Sequence, residues 1–316
     1  MCGKTSASRR VLSTAVVVVA WMSVLAPSCL AQSDQVAVRS RFKVDVDLVL
    51  IPVTITDPMN RLVVGLEKEN FLVYEGKEQQ EVRQFSSEDA PASIGVVFDE
   101  SGSMSNKIEK AKAAVVEFFR TANLEDEFFM IAFQDKPEVI SNFTGSVEDI
   151  QGRLPNIMAS GRTALLDGIY LALNKMREAR YEKRALLIIS DGGDNFSDHS
   201  AAEIKAMAEE ADVQIYTIGL FDGHFVTTEE SLGPALLSEI AYVSGGQAYT
   251  VRDINELADV TAKIGAELRH QYVLGYRPKK PAHDGTWRRV KVKLIPPKGM
   301  PPLHVYNKSG YYAAKD

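Results

Sequence analysis

The stretch SIGVVFDESGSMSNKIEKAKAAVVEFF, residues 93–119, holds the transition on which the fold turns. It opens on an uncharged run, SIGVVF, which ends at Asp99. It then crosses a loop of small polar residues and enters a segment with Ile108, Ala111, Val115 and Phe118–Phe119 at helical spacing. A near-continuous apolar run of this length fits a strand buried on both faces of a parallel sheet, with its crossover helix behind it. The pattern recurs at FFMIAF (128–133), ALLIIS (185–190), VQIYTIGL (213–220) and GQAYTV (246–251). Helical periodicity fills the gaps at 107–120, 163–177, 201–211 and 234–243, with a last helix at 253–270. Strands alternating with helices predict a doubly wound, Rossmann-like α/β domain with a parallel-dominated sheet over residues 91–270. Residues 221–233 form a longer connection than such units need.

Outward from this domain the pattern becomes β-like on both sides. Val44, Val46, Leu48 and Leu50 share one parity, and Val53 and Ile55 follow Pro52. Asp57-Pro58-Met59-Asn60 reads as a turn, and FLVYEGKEQQEVRQF as a hairpin around Glu75-Gly76-Lys77. After the last helix come QYVLGY, WRRVKVKLI and a terminal GYYA, with Trp287 as a core or edge aromatic. Neither flank has enough strands to bury a core alone. Segments 36–88 and 271–316 are therefore expected to combine into one small β-rich unit.

Residues 1–31 differ from everything after them. Lys4, Arg9 and Arg10 precede an apolar run from Val11 to Leu25, then Pro27-Ser28-Cys29-Leu30-Ala31. Basic, apolar, then small is the layout of a secretory signal peptide with cleavage after Ala31; an uncleaved anchor is the other reading. Ala26-Pro27-Ser28-Cys29 makes a poor lipoprotein box. Both cysteines, Cys2 and Cys29, fall inside this leader, so the mature chain would have no disulfide and no thiol nucleophile. Taking the leader's three basic residues from 36 leaves 33 Lys and Arg against 42 Asp and Glu, a net charge of −9. That balance argues against nucleic acid as a partner and against anionic membrane surfaces. No later segment is apolar for long enough to span a membrane. The expected location is periplasmic, cell-surface or secreted.

The residues with chemistry lie on three loops. Asp99, Ser101 and Ser103 alternate along the loop leaving the first parallel strand, outside the carboxyl end of the sheet, where α/β folds bind ligands. Gly161-Arg162-Thr163 opens one helix, and Asp191 follows the run ALLIIS and begins Asp191-Gly192-Gly193-Asp194-Asn195. Each alone has a structural explanation: Asp99 and Ser101 as helix and turn caps, Thr163 as an N-cap, Asp191 as a turn residue. Together they form an all-oxygen donor set suited to a hard divalent cation. Asp194 and Asn195 read as solvated turn residues. His199, His224, His270, His283 and His304 show no zinc-site spacing and read as surface or structural residues.

The set D-E-S-G-S, G-R-T and I-S-D-G, in that order, resembles the metal-ion-dependent adhesion site of the von Willebrand factor type A family. The resemblance implies that Ser101, Ser103 and Thr163 bind Mg²⁺ (or Mn²⁺ or Ca²⁺), with Asp99 and Asp191 binding it directly or through water. It also implies that an acidic side chain of a protein partner completes the shell. V-T-I-T-D, Q-Y-V-L-G-Y-R-P, W-R-R-V-K-V and the terminal G-Y-Y-A are similar to the von Willebrand A–related proteins of acidobacteria. The reading is a non-enzymatic, exported, metal-dependent binding or adhesion protein. Two others remain: a structural envelope component with an unused metal site, and a phosphatase-like hydrolase. The last is disfavoured because the second Asp that its nucleophile loop needs is Ser101 here, and no G-x-S-x-G or P-loop is present.

Overall fold

The structure is a computed structural model and describes residues 48–221, 228–280 and 284–315. The leader, Cys2, Cys29, Val44, Val46, His224 and His283 lie outside the described residues. In chain order the elements are β1 (Val49–Thr56), β2 (Phe71–Glu75), β3 (Glu78–Gln80), β4 (Val82–Ser86), β5 (Ala92–Asp99), α1 (Ile108–Arg120), β6 (Glu127–Phe133), β7 (Pro137–Thr144), α2 (Val147–Gln151) and α3 (Leu165–Lys175). They continue as β8 (Lys183–Ser190), α4 (Ala201–Glu210), β9 (Gln214–Leu220), α5 (Thr228–Ser244), β10 (Ala248–Val251), α6 (Leu257–Arg269), β11 (Tyr272–Tyr276), β12 (Trp287–Leu294), β13 (His304–Asn307) and β14 (Gly310–Tyr312). Among the described residues no helix is long and apolar enough to cross a membrane.

The central sheet has the order β10-β9-β8-β5-β6-β7. All its pairings are parallel except that of β7, which folds back antiparallel on β6 at the edge. The periodicity did not reveal β7. Its segment, PEVISNFT, begins on a proline and is mostly half-buried or exposed, as an edge strand tolerates. Strand β5 is fully buried along its length. Its alternate side chains serve two cores: Ile94, Val96 and Phe98 pack with Val115 and Phe118 of α1 and Ile264 and Leu268 of α6. Val97 faces the other way, towards Leu165 and Ile169 of α3, Ile204 of α4 and Ile240 of α5. Gly95 is required by a close approach, because a Cβ there would sit 2.2 Å from the ring of Phe129.

The flanking segments do pair. β1 lies between β11 and β13, antiparallel to both, and β4 covers the other side of β11. β12 lies between β14 and β2, with β3 returning on β2 through a two-residue turn at Gly76, whose φ is 58°. The two four-stranded sheets share a core of Ile51, Val53, Phe71, Val73, Tyr272, Leu274 and Val292. A buried polar cluster joins this unit to the parallel sheet. Gln271, between α6 and β11, donates through Nε2 to Gln214 Oε1 (2.7 Å) and Tyr216 OH (3.1 Å) of β9 and to Thr54 Oγ1 (3.4 Å) of β1. These contacts lie at the start of β9, so the β unit sits at the amino end of the sheet.

One ionisable group is buried near this junction. Glu267 of α6 is fully buried and accepts from Tyr249 OH at 2.5 Å and Gln247 Nε2 at 3.0 Å. Burial pushes its carboxyl up from 4.5 to about 7, against the opposing pull of the Tyr249 hydroxyl and the Lys263 charge. A carboxyl raised in the folded state favours folding while it is protonated. Its contribution is therefore complete below about pH 4.5 and is lost as pH rises through about 7. Urea unfolding from pH 4.5 to 8 should show Glu267→Gln gaining on wild type as pH rises across that window, and the two curves running parallel above it.

Candidate metal centre

The parallel sheet reverses its strand order at β5 and β8: the chain runs outward from β5 to β6 and β7, then returns to place β8 on the other side of β5. Loops leaving two neighbouring parallel strands in opposite directions open a crevice at their carboxyl ends. Asp99 is the last residue of β5, and Asp191 is the first residue after β8. Both carboxylates therefore start at the floor of the crevice rather than on an exposed turn. Asp99 is 0% exposed and Asp191 4%. The strands end where the apolar runs end, but the depth of burial is not visible in sequence: it arises because the loops fold back over the strand ends.

Three loops close over this floor and are tied to one another. Glu100 N–H donates to Phe133 O at the end of β6, and Ser160 N–H to Glu100 O at 2.8 Å. Gly102 N–H donates to Gly161 O at 3.1 Å, which sets the D-x-S-x-S loop against the G-R-T loop. Thr163 is not an N-cap: α3 starts at Leu165 with Ala164 in the cap position. Its backbone is bonded to the third loop instead, its N–H donating to Asn195 Oδ1 (3.0 Å) and its carbonyl accepting from Asn195 N–H (3.0 Å) and Phe196 N–H (3.1 Å). Asp194 accepts from Leu166 N–H at 3.2 Å and Ser197 Oγ–H at 2.6 Å, so it caps the start of α3. Asn195, though exposed, thus ties Thr163 in place, and the half-buried Asp194 ties this loop to the start of α3, so each does more than the solvated turn residue its sequence suggests. Nothing in a D-N pair after two glycines separates those roles in sequence. Gly192, at φ 80°, packs so closely on Gly233 of α5 that a Cβ would lie 2.9 Å from the Gly233 Cα. His199 donates through Nδ1–H to Asp167 Oδ1 (2.7 Å) and stacks on Tyr170, which is a structural role.

At the floor, Asp99 Oδ1 accepts from Ser101 N–H (2.9 Å) and Oδ2 from Ser190 Oγ–H (2.5 Å). Burial, and next the charge of Asp191, push the Asp99 carboxyl up to about 7, and the serine hydrogen bonds do not offset them. Two carboxylates held this close out of water need a cation to stay ionised together. The oxygens available are all hard donors: Ser101 Oγ and Ser103 Oγ lie 3.0 Å apart. Two ligands on adjacent vertices of an octahedral Mg²⁺ site, each about 2.1 Å from the ion, are also about 3.0 Å apart. Among the described residues no three His, Cys, Asp or Glu side chains gather into a metal-holding group. Any ion here would depend on hydroxyls as well as carboxylates, and the donors present fit one. Sequence reasoning missed Lys107, which is buried with its Nζ 3.6 Å from Asp191 Oδ2.

Comparison with known proteins agrees with this architecture. Residues 94–193 match the family model of the von Willebrand factor type A domain, a span that contains all five residues of the three loops. The chain carries a von Willebrand factor type A domain. A solved von Willebrand factor type A protein from Catenulispora acidiphila is 12% identical, with a TM-score of 0.50 over 84% of this chain and 74% of that one. Proximal thread matrix protein 1 from the mussel byssus, solved with a zinc-occupied MIDAS motif, is 20% identical with a TM-score of 0.50, over 62% of this chain and 50% of that one. Both likenesses are of fold. An uncharacterized protein of Borreliella burgdorferi is 26% identical over 188 residues, 52% of this chain; the chain spans 55% of that relative's length.

The ties between the loops carry their own test. Asn195→Ala removes the acceptor of the Thr163 N–H while leaving the exposed surface otherwise intact. It should destabilise the domain by about 1 kcal/mol in urea unfolding.

Proposed function

We propose that this protein is a non-enzymatic binding module that holds a divalent cation through Asp99, Ser101, Ser103, Thr163 and Asp191 and uses it to grip an acidic side chain of a protein partner. The observation that carries the reading is the buried Asp99–Asp191 pair beneath a layer of hydroxyls, at the crevice where the sheet reverses order. The cation is Mg²⁺ or Mn²⁺, with Ca²⁺ the remaining alternative. It would supply a positive centre with an open coordination position, because neutral hydroxyls make up most of the donor set. Ser103 is the exposed member of the set, on the side from which a partner would approach. The five ligand assignments and the partner belong to this proposal, as does an exported location.

The rim around the crevice is shaped for a protein surface. Arg162, adjacent to Thr163, is anchored by Asp135 through its Nε at 3.1 Å and lies over the ring of Phe196, 3.1 Å from its centroid. An arginine stacked on a partly exposed aromatic offers a rigid platform beside the metal position.

Calorimetric titration of the wild type with Mg²⁺ and Mn²⁺ tests the site. Asp99→Asn and Asp191→Asn each keep the shape and much of the hydrogen bonding, and each should abolish measurable binding. Asp99→Asn should not lower the thermal midpoint in EDTA, since it removes one of two mutually repelling charges; Asp191→Asn relieves the same repulsion but also loses the Lys107 ion pair, so its midpoint should fall below that of Asp99→Asn. A wild type that takes up no divalent ion would end the metal reading. Capture of envelope proteins that proceeds equally in Mg²⁺ and in EDTA would leave a metal site without the adhesive role.

A further inference from the structure

The loop that carries Asp99, Ser101 and Ser103 also carries a cation to the same floor. Lys107 is the residue immediately before α1. Its N–H donates to Met104 O at 2.8 Å and its carbonyl accepts from Ala111 N–H at 2.9 Å, so the backbone is fixed between the loop and the first turn of the helix. The residue is only 9% exposed, and its Nζ stands 3.6 Å from Asp191 Oδ2, a carboxylate that is itself buried. A lysine at the first turn of a helix ordinarily extends into water, and the helix dipole disfavours a positive charge there. This one is turned inward, onto one of the two acidic groups of the crevice.

We propose that Lys107 is a built-in counter-charge of the metal site, which weakens the site's hold on the divalent ion and strengthens that ion's pull on a partner carboxylate. This rests on the metal reading above. Asp99 and Asp191 together offer two negative charges to a cation, and Lys107 reduces the local sum to one. A divalent ion then leaves the filled site with one net positive charge where it would otherwise be neutral. In a buried crevice that charge is poorly screened and acts on whatever anion approaches the open coordination position. In the metal-free protein the same ammonium gives Asp191 an opposite charge within ion-pair distance, so the carboxylate keeps its place while the site awaits its ion. Lys107 is a positioning and tuning residue; it donates no electron pair to the metal.

The experiment uses the full mature chain and Mn²⁺ as probe, with wild type, Lys107→Met, Lys107→Gln and Lys107→Arg. Calorimetry should show both neutral variants binding Mn²⁺ at least about tenfold more tightly than wild type. Lys107→Arg, which keeps the charge, should stay within about threefold of it. Thermal melts give a second readout. The neutral variants should melt lower than wild type in EDTA, yet gain a larger increase on adding Mn²⁺. A lysine that served only packing would lower both melts alike and leave the gap between them unchanged. Unchanged or weaker Mn²⁺ binding in the folded neutral variants overturns the counter-charge. If one neutral variant does not fold, the other decides, and an arginine variant that tightens binding as much as methionine does would also overturn it. Absence of Mn²⁺ binding in wild type overturns the underlying metal site instead, so the two failures are separate.

Discussion

Two carboxylates share a water-poor floor at the point where the central sheet changes direction, and the surrounding structure is arranged around that electrostatic cost. Burying one carboxylate is unfavourable; burying a second beside it adds repulsion, which is why the Asp99 carboxyl is driven to about 7. Each neighbouring feature lowers the cost in its own way. Ser101 N–H and Ser190 Oγ–H donate to Asp99. The Lys107 ammonium approaches Asp191. A layer of hydroxyls from Ser101 and Ser103 lies above. Of these, only Lys107 carries a positive charge, one against the two carboxylates.

The loop after β5 has one apolar anchor, Met104, which is fully buried in the core. Its small polar residues are held by hydrogen bonds between loops. Gly102 to Gly161 and Ser160 to Glu100 tie the first loop to the second, and Asn195 to Thr163 ties the third to the second. The glycines here answer steric demands: Gly192 adopts a positive φ and lies against Gly233, so the chain after Asp191 can turn sharply beneath α5.

Much of this was legible in sequence, for a physical reason. Strands buried on both faces must be apolar on both faces, and that signal marks β5, β6, β8 and β9 almost to the residue. The alternating Asp99, Ser101 and Ser103 were legible because a strand end and its loop impose the spacing. What stayed hidden depends on contacts across the chain. β7 is an edge strand with half-exposed side chains, so its pattern has no strong period. Asn195 and Asp194 differ from ordinary turn residues only in what lies opposite them, which is a loop about 30 residues earlier. Lys107 differs from a solvated lysine only in which way it points. The pairing of the two flanks could be foreseen from their shortage of strands. Their register could not, because β1 meets β11 and β13 across more than 200 residues.

The place where the flanks assemble bears on how the site can be used. The β unit is held to the parallel sheet through Gln271, Gln214 and Thr54, at the amino end of β9. Asp99 and Asp191 are at the carboxyl ends of β5 and β8. Because these strands are parallel, their amino ends all lie along one edge and their carboxyl ends along the other. The additional sheets therefore occupy the edge opposite the crevice and leave the loop face clear, with Arg162 and Phe196 at its rim. Among the described residues, the carboxyl end of the sheet is therefore covered by loops tied to the α/β sheet, and the β-rich unit lies at the other end, so the crevice and the added sheets do not compete for the same face.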